Sequence, residues 1–155
     1  MAEVVALAAS IIAIIQAAER IEQVCRFFIE SVNGYPSDLR IILIEASSLK
    51  TTFQNLEFIE NHDAEASTFL EKLKAPGGPI AGCLESISEL EKLVPSATIP
   101  DPFNPAKRRK TAASLTSLAW PLKRDKAKKL LNDIAQYKST ISTSLSVELL
   151  YVLAV

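Results

Sequence analysis

Apolar residues recur every three or four positions along most of this 155-residue chain, and that spacing is the period of one face of an α-helix. Breaks in the pattern fall at Asn33-Gly34, at the Pro-Gly-Gly-Pro sequence of residues 76–79, and at Pro95. Each is typical of a helix boundary. The pattern predicts four helices, at residues 1–33, 37–74, 80–94 and 114–153, and the Asn-His-Asp sequence of residues 61–63 indicates a kink or break in the second.

The chain shows neither the alternating pattern of a β-strand nor a hairpin turn, so an all-α fold is expected. Short connections between the first three helices favour antiparallel neighbours. The sequence predicts one domain, residues 1–155, folded as an antiparallel four-helix bundle with long first, second and last helices. A proline-rich basic loop, residues 95–112, precedes the last helix. An extended coiled-coil dimer fits less well, because strict heptads with charged flanks are not sustained.

The start of the first helix lacks the charged face of a typical surface helix. The fifteen residues from Val4 to Ala18 include no charged side chain, so this segment is expected to be buried in the bundle, in a partner or in a membrane. Fifteen residues are fewer than the ~20 that a membrane-spanning helix needs. Small residues four apart, Ala9, Ala13 and Ala17, suit close helix packing in lipid, but alanine is also common in helical cores.

Charge is distributed unevenly, although the whole chain carries a net charge of −1. Residues 1–106 hold 7 basic and 15 acidic side chains, whereas residues 107–155 hold 10 basic and 3 acidic ones. Nine basic side chains concentrate in one stretch: Lys107, Arg108, Arg109, Lys110, Lys123, Arg124, Lys126, Lys128 and Lys129.

This basic stretch has three interpretations. It could be a solvated surface, a surface attracted to anionic lipid, or a nucleic-acid or nuclear-import sequence through its four-residue run. Nucleic acid is disfavoured, because Trp120 is the only aromatic residue between Lys107 and Lys129.

The sequence holds little that could support catalysis. His62 is the only histidine and Cys25 and Cys83 are the only cysteines, so the chain has no two-histidine or Cys-x-x-Cys metal motif. Gly77 and Gly78 lie between prolines, which is typical of a turn rather than a phosphate-binding loop. We therefore expect a protein that is not an enzyme and uses no cofactor or metal. Two cysteines make no disulfide framework, which indicates a reducing, intracellular environment.

Several segments together resemble a known family. They are the apolar start at residues 2–15, Ser37-Asp-Leu-Arg40 with Glu45-Ala-Ser-Ser-Leu49, Gly77-Gly-Pro-Ile80 with Cys83 and Leu84, and Leu118-Ala-Trp-Pro-Leu-Lys123 with residues 127–131 and 137–138. In this order and spacing they resemble the HeLo-like N-terminal domain of fungal STAND proteins, which precedes NACHT or ankyrin regions in NLR-like receptors. That family is related to the HeLo domain of HET-S and to the four-helix bundle of the mixed-lineage kinase-like pseudokinase.

The resemblance implies a signalling or effector domain of a fungal immune or incompatibility receptor. In those relatives the domain oligomerises on activation, exposes its N-terminal helix and permeabilises membranes, which triggers cell death. The expected location is the cytoplasm at rest and the plasma membrane after activation. The first helix contains no glycine, so a glycine-zipper assembly is not expected. Carried over to this chain, the nine basic residues would hold anionic lipid, and the inserting residues would be Val4, Val5, Leu7, Ile11, Ile12, Ile14 and Ile15.

Two other functions remain open from the sequence. The chain could be a non-lytic module that recruits a partner through a helical face, or a cap that keeps a downstream receptor monomeric. No nucleotide-binding motif occurs in the chain, so it is expected to be either one domain of a longer protein, with the implied nucleotide-binding or ankyrin region after Val155, or a small stand-alone homologue. The apolar ending at residues 149–155 is compatible with such a continuation.

Overall fold

A computed structural model describes residues 2–31, 37–62, 70, 72–73, 75, 77–94 and 120–154. Over these residues the chain forms four α-helices and no β-strand, so the predicted all-helical fold is confirmed. The helices are α1 (Ala2–Ser31), α2 (Asp38–His62), α3 (Pro79–Leu93) and α4 (Trp120–Ala154).

Parts of the predicted elements lie outside the described residues. These parts are the stretch 63–69 of the predicted second helix, the loop 95–112 with its four basic residues 107–110, and the predicted start of the last helix at 114–119. The described part of the second helix is unbroken as far as His62.

The four helices share one apolar core. Helix α1 packs against α2 and α3, and α4 packs against the same two helices. Each helix contributes fully buried side chains, among them Ile11, Phe53, Ile87 and Ile134, and together with their buried neighbours these form a single cluster. Burying one large aliphatic or aromatic side chain contributes about 1.5–3 kcal/mol, so this cluster is the main source of stability.

Charged contacts fix how the helices lie along one another. Arg124 of α4 contacts Asp38 at the start of α2, and Lys138 contacts Glu45 further along α2. Residue numbers therefore rise together along the α2–α4 contact.

The turn before α3 requires two adjacent glycines for different reasons. Gly77 adopts a φ of +78°, a left-handed conformation that side chains with a Cβ rarely adopt. Gly78 has an ordinary φ, but a Cβ there would lie 2.7 Å from the carbonyl oxygen of Ala75. The Gly78 N–H donates to that same oxygen, and Pro79 then occupies the first helical turn, where its missing N–H costs nothing.

Candidate functional site

The charge-free half of α1 is the first candidate site, and most of its described large side chains point into the core. Leu7, Ile11, Ile14 and Ile15 are all buried, with exposed fractions of 6, 0, 0 and 8%. Ile12 differs from them, because 46% of its surface is exposed. Val4 and Val5 belong to α1, but their side chains lie outside the described residues. Five of the seven residues predicted to insert have described side chains. Four of these five lie in the core and one lies on the surface.

The spacing of the apolar residues explains this division. Positions 7, 11, 14, 15 and 18 follow the three-to-four-residue period and line the face toward α2 and α3. The outward positions of the same segment are Ala9, Ile12 and Gln16, which are exposed and uncharged. Without charge on either side, this half of α1 is held by apolar packing.

A groove lies beside Leu7 and Ser10 of this segment. Its volume is about 400 Å³, and it runs between α1 and α3 past Leu7, Ser10, Ile80, Leu84 and Glu85.

The second half of α1 is held by ion pairs as well as by packing. Arg20 makes a two-pronged contact with Glu91 of α3, with Nε to Oε1 at 2.5 Å and Nη2 to Oε2 at 3.1 Å. Lys50 of α2 donates to Glu22 Oε2 at 3.0 Å, and Arg26 lies 4.0 Å from the same oxygen. Among the side chains of α1 that the structure describes, charged contacts with neighbouring helices therefore begin at Arg20.

Glu22 is a buried charged residue that the sequence pattern alone did not single out. It is only 4% exposed, and its second oxygen, Oε1, is buried without a hydrogen-bond partner. A buried carboxylate oxygen without a partner costs free energy. Its position in the sequence contained the relevant clue, because Glu22 lies four residues after Ala18 and three before Cys25, on the core-facing side of α1.

The two cysteines are buried and poorly suited to react. Burial raises the pKa of Cys25 to about 12, and the negative charge of Glu22 adds to the effect. Burial alone raises the pKa of Cys83 to about 12. Because the thiolate is the reactive form, both side chains are inert at neutral pH in the closed fold.

Part of the predicted basic patch is committed to contacts within the protein. Arg124 Nε lies 3.1 Å from Asp38 Oδ2, and Lys126 Nζ lies 3.6 Å from Glu89 Oε2. Glu89 also accepts from Lys92 at 3.0 Å, and these two lysines lower the pKa of its carboxyl group, Lys92 more strongly.

The other described basic residues of the patch face solvent. Lys128 and Lys129 are exposed and Lys123 is half-buried. Lys107, Arg108, Arg109 and Lys110 lie outside the described residues. The basic surface that can be placed is therefore a short lysine-rich turn near the start of α4.

Within the described part of the chain, no three His, Cys, Asp or Glu side chains are placed to hold a metal ion. The same residues include no helix that is both long enough and apolar enough to cross a membrane.

No family model, curated protein or solved structure matches this chain.

Proposed function

We propose that this chain is a HeLo-like N-terminal effector domain of a fungal NLR-like receptor. On activation it would self-associate, release the charge-free half of α1 and insert it into anionic membrane, which would trigger cell death. The observation that carries the proposal is the charge-free half of α1. Its residues Leu7, Ile11, Ile14 and Ile15 are buried in the closed fold, and among the described side chains the charged contacts of α1 lie in the half that follows it.

The order of residues along the helix contacts supports an antiparallel bundle, which the proposal requires. Gly82 of α3 lies against Tyr137 of α4 and Glu89 against Lys126, so residue numbers fall along α4 as they rise along α3. Along the α2–α4 contact, residue numbers rise together, so these two helices run in the same direction. An antiparallel bundle requires this, because its second and fourth helices both run opposite to the first and third.

The energy of release argues for a coupled mechanism. Exposing Leu7, Ile11, Ile14 and Ile15 to water costs roughly 6–12 kcal/mol at about 1.5–3 kcal/mol each. That is comparable to the whole stability of a typical domain, about 5–15 kcal/mol. The segment therefore leaves the core only when another apolar environment takes it up, such as lipid or neighbouring copies.

The length of the segment favours shallow insertion. Fifteen uncharged residues extend about 22 Å as a helix, less than the ~30 Å thickness of the hydrocarbon core. A helix of this kind can lie at the interface with its apolar face buried about 5–10 Å deep. Lys123, Lys128 and Lys129 would attract anionic headgroups at about 1 kcal/mol each.

Ile12 allows a test that leaves the core intact. The full chain, joined to an inducible dimeriser, is added to dye-loaded vesicles of phosphatidylcholine and phosphatidylserine, and leakage is recorded with and without the inducer. We expect leakage that depends on the inducer and is lost in Ile12→Glu, because the new carboxylate opposes insertion while an exposed position tolerates it in the closed fold.

Gln23→Glu is the matched control for this experiment. It places the same charge on an exposed position of the same helix, beyond the charge-free half. It should leak as the native chain does. Absence of leakage from the clustered native chain, or full leakage from Ile12→Glu, contradicts membrane insertion.

A non-lytic interaction or autoinhibitory module is the second candidate. One observation favours it: Arg124 and Lys126 of the predicted lipid-binding patch are paired within the fold. In this case Ile12→Glu would leave signalling by the full receptor unchanged in cells, whereas an effector would lose it.

A further inference from the structure

Between residues 41 and 61 of α2, the charged side chains are only partly exposed; they are Glu45, Lys50, Glu57 and Glu60. Exposed positions between residues 41 and 61 are all uncharged: Ile41, Ile44, Thr51, Gln54, Asn55, Phe58 and Asn61. Three of them are large and apolar, since Ile41, Ile44 and Phe58 are 52, 65 and 62% exposed. By contrast, the outer face of α1 carries Glu19, Arg20, Arg26 and Glu30.

Three of these residues form a straight line along the helix. Ile44, Thr51 and Phe58 are seven residues apart, and two turns of a helix bring each nearly above the last. The line is apolar at both ends and polar in the middle. Thr51 is its midpoint, so the line presents a similar pattern when reversed.

Helix α4 widens this surface. It lies beside α2, where Lys138 bonds Glu45 and Ser48, and a groove of about 330 Å³ passes between Phe58 and Leu145. The exposed described positions of α4 between residues 132 and 150 are also uncharged: Asn132, Gln136, Ser139, Thr140, Ser142, Thr143, Ser146, Val147 and Leu150.

We propose that this face binds a second copy of the chain, with two α2 helices antiparallel about a two-fold axis at Thr51. Ile44 of each copy then packs on Phe58 of the other, and Thr51 meets Thr51. The proposal names the surface for the self-association within the proposed function and rests on that part of it. A symmetric pair uses the same patch twice, so the patch must complement itself. This face does so because its fully exposed positions between residues 41 and 61 are uncharged and its apolar ends meet when it is reversed.

Burying the middle of this face leaves the Thr51 hydroxyl bonded. The Thr51 hydroxyl donates to the Ser47 carbonyl of its own helix at 3.1 Å, and the Thr52 hydroxyl donates to the Ser48 carbonyl at the same distance. Ser48 itself accepts from Lys138. The cost of desolvating unpaired polar groups, about 1–3 kcal/mol each, is therefore avoided for these hydroxyl groups.

The size of the face indicates a weak dimer. Twenty-one residues of α2 extend about 30 Å, and two helices about 10 Å apart make the face about 20 Å wide. The resulting area, on the order of 600 Å² per copy, is below the ~800 Å² of a standard stable interface. Such a contact forms mainly when copies are brought together at high local concentration.

Opposite charges at position 51 test the two-fold axis. Thr51→Lys and Thr51→Glu are made in the full chain, and association is measured by sedimentation equilibrium over a range of concentrations. Because each residue faces itself across the axis, each variant alone should associate at least ten-fold more weakly than the native chain. An equimolar mixture of the two should recover association, because Lys then faces Glu.

Further variants separate this proposal from its alternatives. Ile44→Glu should weaken association, whereas Gln23→Glu, which adds the same charge at an exposed position of α1, should not. Equal association of all variants and the native chain overturns the proposal, as does a mixture that fails to recover. If Ile44→Glu instead reduces binding to vesicles without changing association, the face contacts lipid and the proposal is wrong. No membrane is present in the sedimentation experiment, so its result stands apart from the leakage result.

Discussion

Gly82 of α3 lies directly against the ring of Tyr137 of α4, where a Cβ atom would come within 2.6 Å of Cε1 and 2.8 Å of Cε2. Gly82→Ala should therefore lower the free energy of unfolding by about 1–2 kcal/mol. Overpacking costs about 1–3 kcal/mol, and the better helix propensity of alanine returns up to about 1 kcal/mol. Urea denaturation followed by circular dichroism measures the difference.

A double variant shows whether the ring is the cause. In a Tyr137→Leu background, Gly82→Ala should be neutral or slightly stabilising, because the ring is absent and only the propensity gain remains. An equal loss of stability in both backgrounds would mean that Tyr137 is not responsible.

The Glu22–Lys50 pair should respond very differently to single and double replacement. Lys50→Met leaves a carboxylate of 4% exposure beside only the distant Arg26, so a loss of about 3–5 kcal/mol is expected. Replacing both residues by Met removes the buried charge and the unpaired Oε1, and should restore native stability or exceed it by about 1–4 kcal/mol. Chemical denaturation of the three proteins is the measurement. A double variant as unstable as Lys50→Met alone would contradict this account.

The Arg20–Glu91 pair should contribute much less despite its closer geometry. Its side chains are 48 and 34% exposed, and exposed pairs contribute about 0–1 kcal/mol. Arg20→Ala should cost no more than this, and the difference from the native chain should shrink in 1 M salt. A larger loss that persists at high salt would show that the arginine acts through packing instead.

Alkaline pH should destabilise the fold through its two thiols. In the closed fold the pKa of Cys25 and of Cys83 is about 12, against 9.0 for a free thiol. The unfolded chain therefore loses these protons first, so stability is full below pH 9 and falls between pH 9 and 12. Cys25→Ala/Cys83→Ala should show a flatter decline over this range. Equal slopes for the variant and the native chain would rule out the thiols as the source.

Thiol labelling can report the release of α1. Cys25 lies on α1 and Cys83 on α3, and their similar pKa values make the intrinsic reactivity of the two similar. Cys25 lies in the half of α1 that Arg20 and Glu22 hold, whereas Cys83 lies in the turns of α3 beside Leu7 and Ser10. Clustering that releases the charge-free half should therefore accelerate iodoacetamide labelling of Cys83 more than that of Cys25, as mass spectrometry can measure. Equal acceleration would indicate general unfolding.

The sequence predicts the helices and the core better than it predicts the charged contacts. Spacing alone places Leu7, Ile11 and Ile14 on one face, because the helical period is a local property. Spacing does not show that Ile12 is exposed, because no charged residue marks the outer face of this part of α1. The pairing of Arg124 with Asp38 depends on which helices become neighbours. A count of basic residues therefore overestimates the charge that is available for lipid.

The long-range charged contacts have a consequence for the order of folding. Arg20 and Glu91 are separated by 71 residues and Lys138 and Glu45 by 93, whereas α1 with α2 and α3 with α4 are sequence neighbours. Local contacts form faster, because closing a long loop costs more entropy. Two helical hairpins should therefore form first and dock second. The contacts of Arg20 with Glu91 and of Lys138 with Glu45 stabilise the docking step. During synthesis α1 and α2 emerge from the ribosome first, so α1 would be covered by α2 alone until α3 and α4 have been made.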